Sequence, residues 1–542
     1  MFTEFFCNSS AGSNLNGGSD AGSPSATDTA SSYGRGTGAG GVDRITASSG
    51  TPFSAATVGQ FVGVNATGST SNAGWITAVL AVNGGGTSID VADGTTNTRA
   101  AGSRPANNAS ADCRVGGIWQ GPSATTFPIG FSAGSITNLK NAAGNPIRFN
   151  LLNTASYGGT FASFGGLTQD SGTVIQGCTA TAGDGGKATI SGTGSNFSLL
   201  SAFNCTDLIF TNNFGSGSTA MVTVTSGSFR RCVFHDCPAA GVQVSSGANN
   251  SAYFEECEFY SCNTANNANN GGIVCTSTQG LLVRRCVFHD IAGSNSNGII
   301  TTATLQVMAI EDSIFDTIGA SGVSITSSAI RQATFSNCDF YNNTNGISMT
   351  GAAANARVLV QNCNFVKNVT TGILVSAAPT LMEVFVSFCG FGSGSDANGA
   401  NTNVSAVTAC LVTESSVNYT TPTNPWVDPA NGNFRIAVAA TQAQQTGRGT
   451  FTETASNYTG TQAWPDIGSA QSSWLQSDST NSTTPVNPGS FAVFDFDAQT
   501  GDFGGTPMAM PVVYVAPPTA PPQEAKYTGG NVATTITIPG SV

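Results

Sequence analysis

Cys232-Val233-Phe234-His235-Asp236 returns as Cys257-Glu258-Phe259-Tyr260-Ser261 and again as Cys286-Val287-Phe288-His289-Asp290. Around these three, the same short phrase appears as Leu208-Ile209-Phe210, Ser313-Ile314-Phe315, Cys338-Asp339-Phe340, Cys363-Asn364-Phe365 and Cys389-Gly390-Phe391, recurring every 24 to 29 residues. A period of this length marks stacked units that bury a core only against their neighbours. Between the copies lie Gly241-Val242, Gly272-Ile273, Gly298-Ile299, Gly322-Val323, Gly346-Ile347 and Gly372-Ile373, each opening a short alternating strand. Each repeat is therefore two or three strands joined by turns rich in Gly, Asn and Ser. No apolar spacing of three and four persists through a copy, which excludes helical and leucine-rich solenoids. Strands that recur with the coil stack in parallel at about 4.8 Å, so the sequence predicts an all-β parallel β-helix solenoid.

The cross-section follows when each copy is numbered from its Cys as zero. Positions −3 (Cys205, Phe229, Phe254, Val283, Ile310, Phe335, Val360, Val386), 0 and +2 point inward. Two successive outward positions, −2 and −1, then imply a corner between strands, because a regular strand alternates strictly. Position −1 reads Asp207, Arg231, Glu256, Arg285, Asp312 and then Asn337 and Asn362. Position −2 reads Arg230, Glu255, Arg284 and Glu311. In-register stacking sets like residues about 5 Å apart, and sign alternation turns repulsion into pairing. These charges are expected to form a structural ladder.

The outward face between corners carries the candidates for function. Position +3 holds Thr211, His235, Tyr260, His289, Asp316, Tyr341 and Val366, and position +1 holds Glu258 and Asp339 among neutral residues. Aromatic rings, imidazoles and carboxylates on one flat face suit glycan binding, with His235, Tyr260, His289 and Tyr341 as contacts. Glu258, Asp316 and Asp339 are the candidate acids and bases. Asp316 and Asp339 fall on adjacent coils, roughly 8 Å apart by strand geometry, within the separation that an inverting glycosidase uses.

Composition narrows the classes further. Charged residues make up 9% of the chain and the net charge is −12 with 18 basic residues, so a phosphate-tracking surface has little to build on and nucleic acid is not expected as a partner. The longest apolar stretch, Met508 to Ala516, contains proline and is too short to span a bilayer, and no membrane insertion is expected. The opening residues show no export signal, which favours a reducing compartment of synthesis and free thiols. Seven of the 14 cysteines lie in or beside the zero column, where Ser313 and Leu208 also occur, as in a packing column. The pairs Cys232/Cys237 and Cys257/Cys262 lack a histidine cluster, and the carboxylates do not converge as calcium requires. No metal or cofactor is expected.

The domain organisation expected is a β-rich N-terminal cap over 1–125, the β-helix over 126–416, a closing segment over 417–475 and a Gly/Ser/Pro-rich tail over 476–542 docked on a partner. The coil phrases of 208–391, the opening Phe6-Cys7-Asn8-Ser9-Ser10-Ala11-Gly12-Ser13-Asn14-Leu15-Asn16-Gly17-Gly18-Ser19, and the closures Asp428-Pro429-Ala430-Asn431-Gly432-Asn433-Phe434-Arg435 and Asp466-Ile467-Gly468 together give the chain a family likeness. It resembles the right-handed parallel β-helix, or pectin-lyase-like, superfamily. That resemblance implies a right-handed solenoid and a choice among polysaccharide lyases and hydrolases, phage tailspikes and other virion fibres, and secreted proteins. The polygalacturonase-type Asp clusters and lyase-type Arg of the family have no counterpart in this chain, so no catalytic residue carries over. The leading expectation is a structural or receptor-binding virion protein of a tailed phage, homotrimeric, contacting other virion proteins or a surface polysaccharide. The alternatives are a polysaccharide hydrolase or lyase, and an extracellular or cell-surface adhesin that binds glycan.

Overall fold

The computed structural model describes residues 2–120, 146–157, 173–437, 525–529 and 532–536, less short loop segments within those ranges. They form two compact units: residues 1–282 with 286–305, and residues 283–285 with 306–542. The segment expected to dock as a tail, 476–542, lies outside the described residues except for an antiparallel strand pair, Ala525–Gly529 with Val532–Ile536.

The first unit opens with Thr3–Cys7, which pairs in parallel with Ile147–Leu152, itself paired with Val174–Cys178. Within the 1–125 segment read as a cap, the first strand is a rung of the solenoid: Phe5 and Cys7 alternate inward and Phe5 stacks on Trp119 at 4.7 Å. The cap proper is an antiparallel sheet running from Pro24–Gly34 to Ala109–Gly116 in chain order, with Phe61–Asn65 also pairing Trp75–Asn83. Tyr33, Phe53, Val62, Trp75 and Ile89 fill its core.

The coils of each unit hold the register read from the repeat. In the first unit Phe210, Phe234, Phe259 and Phe288 face one another in turn, as do Thr211, His235, Tyr260 and His289. In the second, Phe315, Phe340, Phe365 and Phe391 do the same, beside Ile314, Asp339, Asn364 and Gly390. The rings stack nearly flat: Phe210 on Phe234 at 5.0 Å and Phe340 on Phe365 at 4.8 Å, both at 2°. All these rings are fully buried, and each contributes about 1.5–3 kcal/mol through burial alone.

The predicted corner is a left-handed backbone residue. Asp207, Arg231, Glu256, Arg285, Asp312, Asn337 and Asn362 all have φ between 49° and 54°, and Phe388 continues them. A second left-handed column, at +4, holds Asp236, Ser261, Asp290, Thr317, Asn342 and Lys367. Asn tolerates this region; Arg, Glu and Phe carry a steric cost there of about 1–2 kcal/mol that the surrounding ladder offsets.

The zero column packs as expected and adds a donor requirement. Every cysteine among the described residues is buried and free. The Cys257 thiol donates to Glu255 O and Phe229 O at 3.3 and 3.4 Å, and the Cys338 thiol donates to Ser336 O at 3.2 Å. The Ser313 hydroxyl makes the same bond, to Glu311 O at 2.7 Å, which explains why Ser replaces Cys in this column. Burial raises the Cys257 thiol well above its ordinary pKa.

In the second unit the +5 column becomes a buried amide ladder. Asn368 Nδ2 donates to Asn398 Oδ1 and Phe340 O, its Oδ1 accepts from Asn343 Nδ2, and Asn343 Nδ2 reaches Phe315 O. A short hairpin, Trp426–Asp428 with Asn433–Ile436, lies on the outer face of this unit, where Trp426, Phe434 and Tyr419 cluster with Tyr341 and Val366. Among the described residues no helix is long and apolar enough to cross a membrane.

Candidate functional site

The candidates expected on one face divide between the two units and meet different fates. In the first unit His235, Tyr260 and His289 form one stacked file, with centroids 4.8 and 5.1 Å apart and planes 7° and 19° from parallel. The file arises because +3 alternates outward from the Phe at +2 and the coils stay in register. Tyr260 has an imidazole on each face. Both faces of the Tyr260 ring, expected to stack against a sugar, are thus occupied by the chain's own side chains.

The left-handed residue after each histidine returns a carboxylate to it. Asp236 Oδ2 lies 2.7 Å from His235 Nδ1, and Asp290 Oδ2 lies 2.8 Å from His289 Nδ1. Thr211 Oγ1 sits 3.3 Å from His235 Nδ1. Glu258, at +1 one coil before, places Oε1 3.1 Å from His289 Nε2. The Glu258 bond holds the imidazolium of His289 and raises its pKa against the opposing effect of burial. The same bond lowers the Glu258 pKa, with Lys187 and His235 adding to it. Burial raises the Tyr260 phenol, which opposes its use as a base.

In the second unit the structure overturns two candidates. Asp339 is fully buried, accepting from Asn364 Nδ2 at 2.8 Å, while the Tyr419 hydroxyl donates to Asn364 Oδ1. It is out of reach of a substrate, so the expected pairing of Asp339 with Asp316 as acid and base fails. Tyr341 is 5% exposed beneath the edges of Trp426 and Phe434, at 5.7 and 5.9 Å, with Lys367 Nζ 3.4 Å from its hydroxyl. It is covered by its own chain and offers no face to a glycan. Asp316 stays partly exposed and accepts from the Thr317 hydroxyl at 2.7 Å.

Ion pairs link several of the charged corner residues within each unit. Arg231 grips Asp207 with two bonds, of 2.7 and 2.6 Å, and Arg230 faces Glu255 at 3.6 Å. The columns also interleave: Arg284 bridges Glu311 at 3.9 Å and Asp312 at 3.6 Å, and Asp312 accepts from Asn337 Nδ2 as well. The Glu256 field raises the Arg231 pKa after Asp207, the larger cause. Arg285 donates its backbone N–H to Glu311 O at 3.0 Å.

Among the described residues no group of three or more His, Cys, Asp and Glu is placed to hold a metal ion. In an open depression of about 330 Å³ beside Asn8, Ser13, Asn16 and Arg114, Asn8 Oδ1 caps Ser10 and Ala11, Arg114 is held on Asp112 and Asn16 Nδ2 donates to Ile118 O, while the buried Asn16 Oδ1 accepts no hydrogen bond from the described residues. The sequence places Asp236 and Asp290 directly after the two histidines but does not reveal their bonds to Nδ1 or the Tyr419–Asn364–Asp339 chain. Gly390, the exception in the +1 column, was the available signal: a Cβ there would fall 1.7 Å from the Tyr419 hydroxyl.

Residues 201–359 match the family described as right handed beta helix region. No curated protein matches the chain. A solved structure, the pectate lyase Pel9A, resembles it with a TM-score of 0.37 and 14% identity over 60% of this chain and 88% of that one. The parallel, in-register coils in both units make the fold a parallel β-helix, and residues 201–359 of it are similar to the right-handed β-helix family.

Proposed function

We propose that the chain is a structural β-helix of a tailed-phage virion, a capsid- or tail-attached spike or fibre that works as a homotrimer and presents its surface to other virion proteins or to a host polysaccharide. One observation carries the reading: polar groups on the outward face are bonded coil to coil. Asp339 is bonded to Asn364, Glu258 to His289 and Asp312 to Asn337. Side chains so arranged stiffen a shaft. A catalyst instead keeps its acid and base converging on a space that a substrate can occupy. Native mass spectrometry of the full chain tests the assembly, with a trimer expected and a stable monomer counting against it.

Glu258 favours a second reading. Its side chain is 45% exposed and bonded to an imidazole that carries a carboxylate on its other nitrogen. In a polysaccharide hydrolase or lyase this pair would move the proton. Incubation with bacterial-surface and plant polysaccharides, assayed for new reducing ends and unsaturated uronates, separates the two readings. Activity lost in Glu258→Gln would install the enzyme, and silence across the panel would leave the shaft.

A further inference from the structure

His289 is the described imidazole with a carboxylate at each ring nitrogen: Asp290 Oδ2 2.8 Å from Nδ1 and Glu258 Oε1 3.1 Å from Nε2. Ionised carboxylates only accept, and a neutral imidazole has one N–H to give. Both bonds therefore exist together only when the ring is an imidazolium. The partners also differ in kind. Asp290 belongs to the corner next to the ring, whereas Glu258 stands on the preceding coil, so the Nε2 bond ties one rung to another.

We propose that His289 is a protonation-controlled clamp between the rungs of Cys257 and Cys286, closed as an imidazolium and released when the ring loses its proton. The inference goes beyond the structural reading above and does not depend on it. After deprotonation one carboxylate loses its donor and faces a ring lone pair. The stacked neighbours transmit the change, since Tyr260 lies flat between His289 and His235.

The direction follows from both partners. The pKa of His289 is raised above the ordinary 6.5, so its contribution is full below 6.5 and is lost as pH rises through the folded value. The pKa of Glu258 is lowered below the ordinary 4.5, so its contribution is full above 4.5 and is lost as pH falls through the folded value. The clamp is tightest between the two and opens on the alkaline side as His289 discharges. The titratable and charged groups facing the ring within its unit are Glu258, Tyr260 and Asp290, with His235 and Asp236 one ring further and Lys187 acting on Glu258. Asp316 follows as the next +3 residue in sequence and is bonded to Thr317.

The chain has only 2 histidines, so ring NMR of the full chain labelled at histidine resolves both, and His235→Asn assigns them. His289 is expected to titrate above 6.5, with Glu258→Gln and Asp290→Asn each lowering its midpoint. The melting temperature should fall as pH rises through that midpoint, and this step should vanish in His289→Gln, whose amide can still donate to Glu258. A midpoint at or below 6.5, or one left in place by Glu258→Gln, would overturn the clamp. So would a melting step that survives in His289→Gln, or a larger shift from Asp316→Asn than from Glu258→Gln.

Discussion

Truncating Phe340 to Ala should cost more than truncating Phe391, and the difference measures one stacking contact. Both rings are fully buried at the same column position of the second unit. Phe340 lies between Phe315 at 4.9 Å and Phe365 at 4.8 Å, whereas Phe391 has Phe365 at 5.0 Å on one side and Asn418 in register on the other. Loss of a buried Phe side chain with its residual cavity costs about 3–5 kcal/mol. A stacked pair adds about 0.5–1.5 kcal/mol beyond its buried area. Phe340→Ala is therefore expected near the top of the cavity range, with Phe391→Ala lower by about one pair contribution. Urea unfolding gives the free energies, and hydrogen exchange at 339–341 and 364–366 shows whether the loss is local to these rungs. An equal or larger loss at Phe391, or a cost at Phe340 of less than about 2 kcal/mol, would refute a core built by ring stacking.

Asn368→Ala should cost several kcal/mol in the same assay, because it strips partners from the buried Asn343 and Asn398 amides, and each unsatisfied buried group costs about 1–3 kcal/mol. Arg231→Ala should destabilise more than Arg357→Ala: Arg231 holds a buried Asp207, whereas Arg357 is 75% exposed and pairs with a partly exposed Glu383, a surface pair worth about 0–1 kcal/mol. That order should persist in high salt; its reversal in thermal melts would show that Asp207 is solvated. Cys286→Ala should keep the fold at a cost of about 1 kcal/mol in chemical denaturation, since the lost volume is small; a larger loss would make the column more than packing. Phe388→Asn should raise the melting temperature, relieving a left-handed Phe at φ 54° that costs about 1–2 kcal/mol.

The register was legible because Phe at +2 and the small residue at zero recur in a cassette of fixed length, leaving one alignment of the coils. The charged corners were legible as pairs, since in-register stacking dictates which signs must alternate. Their left-handed backbone was not, because Arg231, Glu256 and Phe388 are poor residues for that region. The fate of Asp339 and Tyr341 was hidden for a different reason. What covers them is Tyr419, Trp426 and Phe434, a nonrepeating segment whose contacts carry no periodic signature. Likewise the Nδ1 partners of the two histidines depend on the chain turning back at Asp236 and Asp290, which strand alternation does not foretell.

The paired left-handed corners divide each coil into a constant part and a free part. Arg231 and Asp236, Glu256 and Ser261, Arg285 and Asp290, Asp312 and Thr317, Asn337 and Asn342, and Asn362 and Lys367 are always 5 residues apart, although the repeat itself varies from 24 to 29 residues. All variation in length is therefore spent elsewhere in the coil. A loop there can lengthen, shorten or change its sequence without disturbing the pitch or the phase of the columns. The molecule is in this sense a ruled scale with interchangeable markings, able to acquire a new surface while its spacing stays the same.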